Sequence, residues 1–300
     1  MNEKSDLPKV SVVMLCWNRI GDVRQSLLKI SEIDYPNLEV IVCDNCSSDG
    51  TQEMIRSEFQ NVKLIEMDEN IGIAAYNAGF EAAEGEYIII IDDDSFPAKD
   101  SVGRMVEKFQ QDPKLGICAF DVRSFSGYDS VSEEVPQENT AAESKEYYMG
   151  FNGAGAGVRK ELFKKIGYYP GEFFLYMNEA DCAVRVWNEG YKVIFFSDLI
   201  SYHKQAAKNR TSWRAPFFYT RNSFWLAWKN YPLPKALAVT LKLIYNCFYY
   251  SLEQGTVIYL KAMCDAFLSL GKLKGKRAPV RCEIADKMRI PLNLPFTFYG

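Results

Sequence analysis

The sequence has little histidine, no long apolar run and no excess of basic residues. His203 is the single histidine among 300 residues, which excludes mechanisms that need two, such as those of H-E-x-x-H zinc proteases. No stretch reaches about 18 uncharged apolar residues, so we expect no segment to span a bilayer. Residues 1–9 are polar and charged, so we expect no signal peptide. A formal net charge of −4 argues against nucleic acid as a partner.

The eight cysteines are scattered and do not form a zinc-binding pattern. Cys43 and Cys46 make a C-x-x-C pair, but no second pair of cysteine or histidine residues lies nearby in the sequence to complete a metal site. A redox dithiol is one interpretation, and two incidental thiols beside a strand end is the simpler one. Free thiols without an export signal predict a reducing, cytoplasmic location.

The most informative stretch is a run of aliphatic residues that ends in three carboxylates. Residues 87–91 predict a buried strand of a parallel sheet, and Asp92, Asp93 and Asp94 follow it directly. Carboxylates so close together repel one another, and a hard divalent cation such as Mg²⁺ or Mn²⁺ relieves the repulsion. Open α/β sheets bind ligands just beyond such strand ends. Two interpretations stay open here: Asp92 and Asp94 hold a metal and a diphosphate, or Asp93, Asp94 and Ser95 form a helix cap and turn.

Strands and helices alternate over about the first hundred residues, which predicts βαβ units and a mostly parallel sheet flanked by helices. Strands are expected at residues 9–17, 38–42, 62–66, 87–91, 116–122 and 191–196. Helices are expected at residues 20–30, 51–58, 74–83, 101–110, 159–166 and 182–189. Residues 123–145 are rich in Ser, Gly and Glu, and they predict a surface loop that covers the substrate.

The composition changes near residue 209, which predicts a catalytic domain at residues 1–208 and a helical extension at residues 209–300. Residues 235–270 carry apolar residues at helical spacing, and residues 272–289 hold seven basic and two acidic residues. Charged residues interrupt the apolar pattern, which argues against a membrane span. Two interpretations of the extension stay open: it lies on an anionic membrane surface, or it packs on the core or forms a homodimer.

The order of these motifs resembles that of the inverting family-2 glycosyltransferases, which have the GT-A fold. In chain order the matching motifs are W-N-R at residues 17–19, V-C-D-N-C-S-S-D-G-T at 42–51, N-I-G at 70–72, N-A-G at 77–79, I-D-D-D-S at 91–95, N-E-A-D at 178–181 with Arg185, and G-Y at 190–191. The Y-T-R-N segment at residues 219–222 is similar to the bacterial rhamnosyltransferase-like branch. The resemblance covers about residues 9–230 and implies an α/β GT-A domain with a C-terminal helical extension.

The resemblance also implies how a sugar nucleotide is held. Asp44 would accept a hydrogen bond from the N3–H group of a uracil or thymine ring. Further nucleotide-sugar contacts are implied for Trp17, Asn18, Arg19, Asn70, Asn77, Asp92, Asp93 and Gly153. Asp92 and Asp94 form the D-x-D metal motif, and His203 falls where some relatives place a third ligand, although a structural role for it stays open. The implied cofactor is Mn²⁺ or Mg²⁺, which neutralises charge on the leaving diphosphate.

Inversion needs one base on the face opposite the leaving group, and a carboxylate at the start of a helix suits that role. The resemblance implies Glu179 as the base, with Asp181 as the alternative; helix capping is the structural interpretation of both.

The implied activity is metal-dependent transfer of a hexosyl or deoxyhexosyl group from a UDP- or dTDP-sugar to a hydroxyl of a glycan or lipid-linked acceptor. It would serve cell-surface polysaccharide synthesis in the cytoplasm, with the enzyme peripheral on the inner face of the plasma membrane. A nucleotidyltransferase is one alternative, although residues 16–21 lack the glycine-rich basic loop that usually grips a triphosphate. A non-catalytic sugar-nucleotide-binding relative is the other.

Overall fold

The computed structural model describes residues 7–128, 143–205 and 212–290, and these residues form one nine-stranded sheet with helices on both faces. The strands are β1 (Val10–Cys16), β2 (Leu38–Asp44), β3 (Val62–Glu66), β4 (Tyr87–Asp92), β5 (Ser95–Pro97), β6 (Leu115–Phe125), β7 (Ser144–Glu146), β8 (Ala156–Arg159) and β9 (Lys192–Lys204). The helices are α1 (Ile20–Ser31), α2 (Thr51–Glu58), α3 (Ala75–Ala82), α4 (Ser101–Gln111), α5 (Lys160–Ile166), α6 (Asn178–Asn188), α7 (Arg214–Asn230), α8 (Leu233–Glu253), α9 (Ile258–Leu268) and α10 (Cys282–Lys287). The predicted α/β fold is confirmed.

The strand order is β3-β2-β1-β4-β8-β6-β9-β5, with β7 also paired to β9. The first four strands in this order are parallel neighbours. In the other half, β8 runs antiparallel to β4 and β6, and β5 and β7 run antiparallel to β9, while β6 and β9 are parallel. The sheet is therefore parallel across β3, β2, β1 and β4 and mixed across the remaining strands.

Strand β4 is covered by helices on both sides, which explains why its sequence is apolar without alternation. Ile88 and Ile90 pack in one hydrophobic cluster with residues of α3, α5 and α6. Ile89 and Ile91 pack in the other cluster with residues of α1, α2 and α4. All four isoleucines are fully buried, and burial of each such side chain stabilises the fold by about 1.5–3 kcal/mol.

Two local differences from the predicted elements bear on function. The chain turns at residues 93–94 and continues as β5, and the next helix begins only at Ser101, so the helix-cap interpretation of Asp93–Ser95 is wrong. Strand β9 is longer than predicted and includes His203. Of the predicted covering loop at residues 123–145, the structure describes the ends, β6 and β7, while residues 129–142 lie outside the described part.

The C-terminal helices pack on the sheet domain through α7, which contacts α6 as well as α8 and α9. The stretch predicted as one helical pattern at residues 235–270 forms two helices, α8 and α9, which are separated at Gly255 with a φ of +59°. Within the described ranges, none of the helices combines the length and apolar character needed to cross a membrane.

Candidate active site

The pairing of five strands brings acidic residues and the histidine to one edge of the sheet. Strand β1 lies between β2 and β4, in a register that places Cys16 beside Asp44 and Leu15 beside Asp92. Strand β5 runs antiparallel to β9 with Ser95 opposite His203. Because Ser95 directly follows Asp94, this pairing carries His203 to the carboxylates.

Asp92, Asp94 and His203 each offer one ligand atom, and these atoms lie within 4.8 Å of one another. His203 Nε2 is 3.0 Å from Asp94 Oδ1 and 3.9 Å from Asp92 Oδ2. Two carboxylates and an imidazole form a donor set that fits a divalent cation. The three residues predicted as metal ligands therefore meet at one point.

The carboxylates of this cluster differ in their electrostatic environment. Burial raises the pKa of Asp92, and it raises that of Asp93 to about 8. Burial also acts on Asp94, but the hydrogen bond from His203 and the charge of Arg19 outweigh it, so the pKa of Asp94 is lowered. The same hydrogen bond raises the pKa of His203. Asp92 and Asp93 are thus costly to ionise without more positive charge, and a divalent cation supplies that charge.

Tyr76 orients the first carboxylate of the cluster. Its hydroxyl donates to the carbonyl of Ile91 over 2.6 Å and lies 3.2 Å from Asp92 Oδ1. The side chain is fully enclosed, and burial raises its pKa well above 10. Sequence reasoning missed this residue, although it directly precedes Asn77 in one of the quoted motifs.

The carboxylates line a pocket of about 690 Å³, which we call the acidic pocket. Of the predicted nucleotide-sugar contacts, its lining includes Trp17, Asn18, Arg19, Asn70, Asp92 and Asp93. It also includes Asn45, Phe174, Leu175, Tyr176 and Arg214, which sequence reasoning did not assign. The Arg214 guanidinium lies over the Trp17 ring at 5.5 Å from its centroid, so α7 contributes directly to the mouth of this pocket.

Three asparagines tie together the loops that follow β1, β2 and β3. Asn18 has a φ of +53° and accepts a hydrogen bond from the Ser48 backbone over 2.7 Å. Asn45 accepts from the Ile71 backbone over 2.9 Å and donates to Asn70 Oδ1 over 3.0 Å. Asparagine tolerates the left-handed backbone conformation better than most residues. These hydrogen bonds hold one wall of the acidic pocket in place.

Asp44 and Asn77 are not among the described residues that line the acidic pocket. Asp44 is fully buried, and its Oδ1 accepts from the Ser47 backbone over 2.8 Å and from Gln52 Nε2 over 2.6 Å. The Asn77 amide exchanges two hydrogen bonds with the backbone of Tyr169, at 3.0 and 3.1 Å. Asp44 thus holds the loop after β2 and the side chain of Gln52, and Asn77 holds the backbone at Tyr169.

Phe174, Leu175 and Tyr176, which also line the acidic pocket, belong to a strained loop that leads into α6. Phe174, Tyr176 and Met177 have φ values of 61°, 65° and 66°, which side-chain-bearing residues seldom adopt. Gly72 makes room for this loop, because a Cβ at that position would collide with the Phe174 carbonyl. Sequence reasoning could not find the loop, since its large residues carry no signal for a left-handed backbone.

Hydrogen bonds from side chains of helix α7 hold the strained loop in place. The Asn222 amide donates to the carbonyls of Phe173, Leu175 and Tyr176 over 3.0, 2.7 and 2.9 Å. Arg221 Nη2 donates to the Phe173 carbonyl over 2.7 Å. The Y-T-R-N segment therefore fixes the loop through which the chain passes from the acidic pocket to α6.

Glu179, in the first turn of α6, faces a different pocket of about 610 Å³ that residues 145–153 also line. We call it the Glu179 pocket. Burial raises the pKa of Glu179 to about 7, and the charge of Asp92 adds to the shift. Gly153 lies against the carboxylate, because a Cβ there would stand 2.7 Å from Glu179 Oε1. A carboxyl group that titrates near neutrality can accept a proton from a ligand in this pocket.

Asp181, two residues further on, is fully buried and lies outside the described lining of both pockets. Its oxygens lie 2.8 Å from Arg185 Nη2 and 3.1 Å from Lys229 Nζ, and Asn230 donates to it over 2.9 Å. Burial opposes ionisation, but the charges of Arg185 and Lys229 outweigh it and lower the pKa of Asp181. Asp181 thus joins α6 to α7 in a buried ion-pair network.

Comparison with known proteins adds a family to this geometry. The sequence profile described as "Glycosyl transferase family 2" matches residues 11–180, more than half of the chain. The chain belongs to glycosyl transferase family 2. The matched residues of this family-2 glycosyltransferase contain the Asp92–Asp94 motif and Glu179, and His203 lies beyond them.

Two curated relatives show how far this likeness extends. The chain is 25% identical over 268 residues to "Probable glycosyltransferase YdaM" of Bacillus subtilis, and the match covers 82% of this chain. It is 31% identical over 125 residues to the "Poly-beta-1,6-N-acetyl-D-glucosamine synthase" of Staphylococcus epidermidis, and the match covers 41% of this chain. The matches span 62% and 30% of those proteins' own lengths.

Solved structures share the fold of this family-2 glycosyltransferase. The mannosyltransferase PcManGT from Pyrobaculum calidifontis, in complex with GDP-Man and Mn²⁺, aligns with a TM-score of 0.57 at 20% identity, over 96% of this chain and 80% of that one. S. aureus TarS 1–349, in complex with UDP-GlcNAc, aligns with a TM-score of 0.59 at 18% identity, over 73% of this chain and 65% of that one. The fold is therefore GT-A, as predicted.

Proposed function

We propose that this family-2 glycosyltransferase moves a hexosyl or deoxyhexosyl group, with inversion, from a UDP- or dTDP-sugar to a hydroxyl of a glycan or lipid-linked acceptor in cell-surface polysaccharide synthesis. The observation that carries the proposal is the meeting of Asp92, Asp94 and His203 beside one pocket, while a carboxyl group with a pKa of about 7 faces the next. Such a transfer needs a metal ion that binds the diphosphate and a base that takes the proton of the acceptor hydroxyl.

The acidic pocket is the proposed donor site. Asp92, Asp94 and His203 would hold Mn²⁺ or Mg²⁺, which binds the donor diphosphate and offsets its charge on departure. Trp17, Asn18, Arg19 and Asn70 line the space left for the nucleotide. The similar structures with GDP-Man and UDP-GlcNAc support a sugar nucleotide as the ligand.

Asp44 remains the proposed partner of the nucleobase N3–H group. Ser47 and Gln52 already donate to Asp44 Oδ1, so the oxygen proposed for the base is Oδ2, which accepts a weak hydrogen bond from Cys16 Sγ over 3.4 Å. Selection of a UDP-sugar over a CDP-sugar tests this role, because cytosine N3 lacks the hydrogen that Asp44 would accept.

Glu179 is the proposed base. It takes the proton of the acceptor hydroxyl while the oxygen attacks the anomeric carbon, and the bond to the diphosphate breaks with its electron pair. A pKa near 7 suits a base that works at neutral pH. Asp181 is the weaker candidate, because its oxygens are engaged by Arg185, Lys229 and Asn230.

The test is a panel of UDP- and dTDP-sugars, with GDP-mannose for comparison, supplied with Mn²⁺ or Mg²⁺. We expect release of a nucleoside diphosphate from one class of donor, with dTDP-rhamnose the best donor if the chain belongs to the proposed rhamnosyltransferase-like branch. Proton NMR of the product reports inversion. Release of pyrophosphate from a nucleoside triphosphate and a sugar phosphate would instead identify a nucleotidyltransferase, and donor binding without turnover would identify a non-catalytic relative.

We also propose that the extension docks on the inner face of the plasma membrane, with the enzyme in the cytoplasm. One face of α8 exposes Leu237, Leu241, Tyr245, Phe248 and Leu252, and Leu252 is 84% exposed. Their spacing of three or four residues places them in one stripe along a helix about 30 Å long. A continuous apolar stripe of this kind is typical of helices that lie in a membrane interface.

Basic residues support this surface, although fewer than the sequence predicts. Lys242 on α8, Lys261 on α9 and Lys272 after α9 are exposed, and each adds about 1 kcal/mol near an anionic bilayer. Others in the tail stabilise the fold: Lys276 pairs with Glu172 over 2.9 Å, and Arg277 donates to the Tyr231 carbonyl over 2.9 Å.

The proposed domain division between residues 208 and 209 lies outside the described residues.

Sedimentation with vesicles tests the surface. The full chain should pellet with vesicles of phosphatidylglycerol and phosphatidylcholine, and a Leu241→Glu/Leu252→Glu variant should stay in the supernatant. Leu28→Glu, which alters an exposed leucine of α1, is the matched control and should still pellet. If the wild type stays in the supernatant, the proposal is wrong; conversion of a dimer to a monomer by the double variant would assign the stripe to a homodimer instead.

A further inference from the structure

The Glu179 pocket is separate from the proposed donor site and takes its lining from one short segment. Residues 145–153 and Glu179 line it. Its aromatic and apolar side chains are Tyr147, Tyr148, Met149 and Phe151, and its polar side chains are Lys145, Glu146 and Asn152. Ligand sites commonly combine such apolar walls with a few polar groups that fix orientation.

The aromatic wall is built before any ligand arrives. The Tyr147 ring stacks on Phe195 with centroids 5.5 Å apart, and the Tyr148 ring stacks on Trp187 at 4.4 Å. Trp187 Nε1 donates to the Tyr147 carbonyl over 2.7 Å. The Tyr147 backbone continues the pairing of β7 with β9 by donating to the Val193 carbonyl over 2.9 Å. These contacts spare the ligand the entropic cost of ordering the wall.

Two glycines allow the segment that lines the pocket to pack against the first turn of α6, next to the carboxylate of Glu179. Gly150 has a φ of +120° and lies against the Ala180 backbone, where a Cβ would stand 3.4 Å from its nitrogen. Gly153 lets the chain pass close to Glu179, because a Cβ there would clash with Glu179 Oε1 at 2.7 Å. Because Glu179 itself lines the pocket, a hydroxyl bound at that end can reach its carboxylate.

Glu179 also links the two pockets electrostatically, because the charge of Asp92 contributes to its raised pKa. Asp92 lines the acidic pocket, while Glu179 lines its own. In an inverting displacement the attacking oxygen and the leaving group occupy opposite faces of the sugar carbon. A donor in the acidic pocket therefore leaves the Glu179 pocket for the acceptor.

We propose that the Glu179 pocket binds a saccharide acceptor, with its rings against Tyr147 and Phe151 and its attacking hydroxyl at Glu179. This inference rests on the proposed function and names the acceptor class. Aromatic rings pack against the C–H faces of sugars, and Asn152 and Glu146 offer hydrogen-bonding groups to hydroxyls. The described lining carries one cation, Lys145, and two carboxyl groups, Glu146 and Glu179, so it lacks the concentrated positive charge that a phosphate group requires.

The test uses Tyr147→Leu and Phe151→Leu, which keep apolar volume and remove the ring. Acceptors are defined gluco-, manno-, rhamno- and N-acetylglucosamine oligosaccharides, with a sugar-free polyprenyl phosphate and a serine peptide as the other classes. For the best oligosaccharide, we expect each variant to raise the acceptor KM tenfold or more. Donor KM and acceptor-independent donor hydrolysis should stay unchanged, and Leu28→Ala on α1 should match the wild type throughout.

Unchanged acceptor KM in both variants, or transfer to polyprenyl phosphate or peptide but not to saccharides, would overturn the inference. Calorimetric titration of the same oligosaccharides without donor keeps this test independent of turnover. If the wild type binds an oligosaccharide and both variants bind it tenfold more weakly, the saccharide site stands even where donor turnover is absent and the proposed function fails. If no oligosaccharide binds and none is glycosylated, the saccharide assignment is wrong.

Discussion

Replacement of Glu179 by Gln should stop sugar transfer and, above neutral pH, stabilise the fold. The surroundings raise the pKa of this carboxyl from 4.5 to about 7, chiefly through burial. One pKa unit corresponds to about 1.4 kcal/mol, so ionised Glu179 costs the folded protein at most about 3 kcal/mol. Glutamine has nearly the same shape without the charge, and the variant therefore avoids this cost.

The direction in which the stability of the wild type changes with pH follows from the pKa of Glu179, which is 4.5 in the unfolded chain and about 7 in the folded chain. Below pH 4.5 the carboxyl group is protonated in both the folded and the unfolded chain, so the native residue costs nothing. Between pH 4.5 and 7 only the folded chain keeps the proton, and the free energy of unfolding falls as pH rises. Above pH 7 the full cost is present. The advantage of Glu179→Gln should thus grow from near zero at pH 4.5 to about 3 kcal/mol at pH 8.

Urea unfolding followed by circular dichroism between pH 4.5 and 8 measures this difference. Glu53→Gln, which removes an exposed carboxylate of α2, is the control. In parallel, kcat/KM of the wild type should rise through pH 7, and Glu179→Gln should lower turnover by about 10²- to 10⁴-fold. Equal stability of variant and wild type at every pH, or full turnover by the variant, would refute the assignment.

Four other substitutions probe the remaining parts of the site. Asp92→Asn or Asp94→Asn should abolish Mn²⁺-dependent turnover and weaken Mn²⁺ binding in calorimetry at least tenfold; unchanged Mn²⁺ affinity would contradict a metal site. Asp181→Asn should lower the free energy of unfolding by about 3–5 kcal/mol, because it removes the carboxylate that pairs with Arg185 and one of the two carboxylates that pair with Lys229; a stable variant without activity would instead point to Asp181 as the base. Asn222→Ala should cost about 2–3 kcal/mol and raise the donor KM, because Tyr176 loses its support; an unchanged donor KM would separate the loop from donor binding.

Local sequence patterns were sufficient for the elements from β1 to β4. Strand β3 and helix α2 begin and end at the predicted residues, because a short apolar run and a helical period are properties of the segments themselves. Strands β5 and β8 were missed, since Pro97 and Gly157 weaken the local strand signal. Both strands exist through pairing with distant segments, β5 with β9 and β8 with β4 and β6, which local patterns do not report.

The parts of the site that lie in sequence motifs were predictable. The parts that depend on packing between distant segments were not. The resemblance placed Asp92, Asp94 and His203 together, and the structure brings them within reach of one ion. The orientation of Asp44 depends on hydrogen bonds from the Ser47 backbone and from the side chain of Gln52 in α2. The support of the strained loop by Asn222 depends on the docking of α7, for which the sequence carries no local signal.

Nucleoside diphosphate release is the most direct measurement of the central claim. The full-length protein is given UDP- and dTDP-sugars with an oligosaccharide acceptor, in Mn²⁺ and again in EDTA, beside the Asp92→Asn and Asp94→Asn variants. We predict release from at least one of these donors in Mn²⁺, loss of release in EDTA, and loss in both variants. Release that persists equally in EDTA and in both variants would contradict the assignment of Asp92 and Asp94 as the metal-binding centre of a sugar transfer.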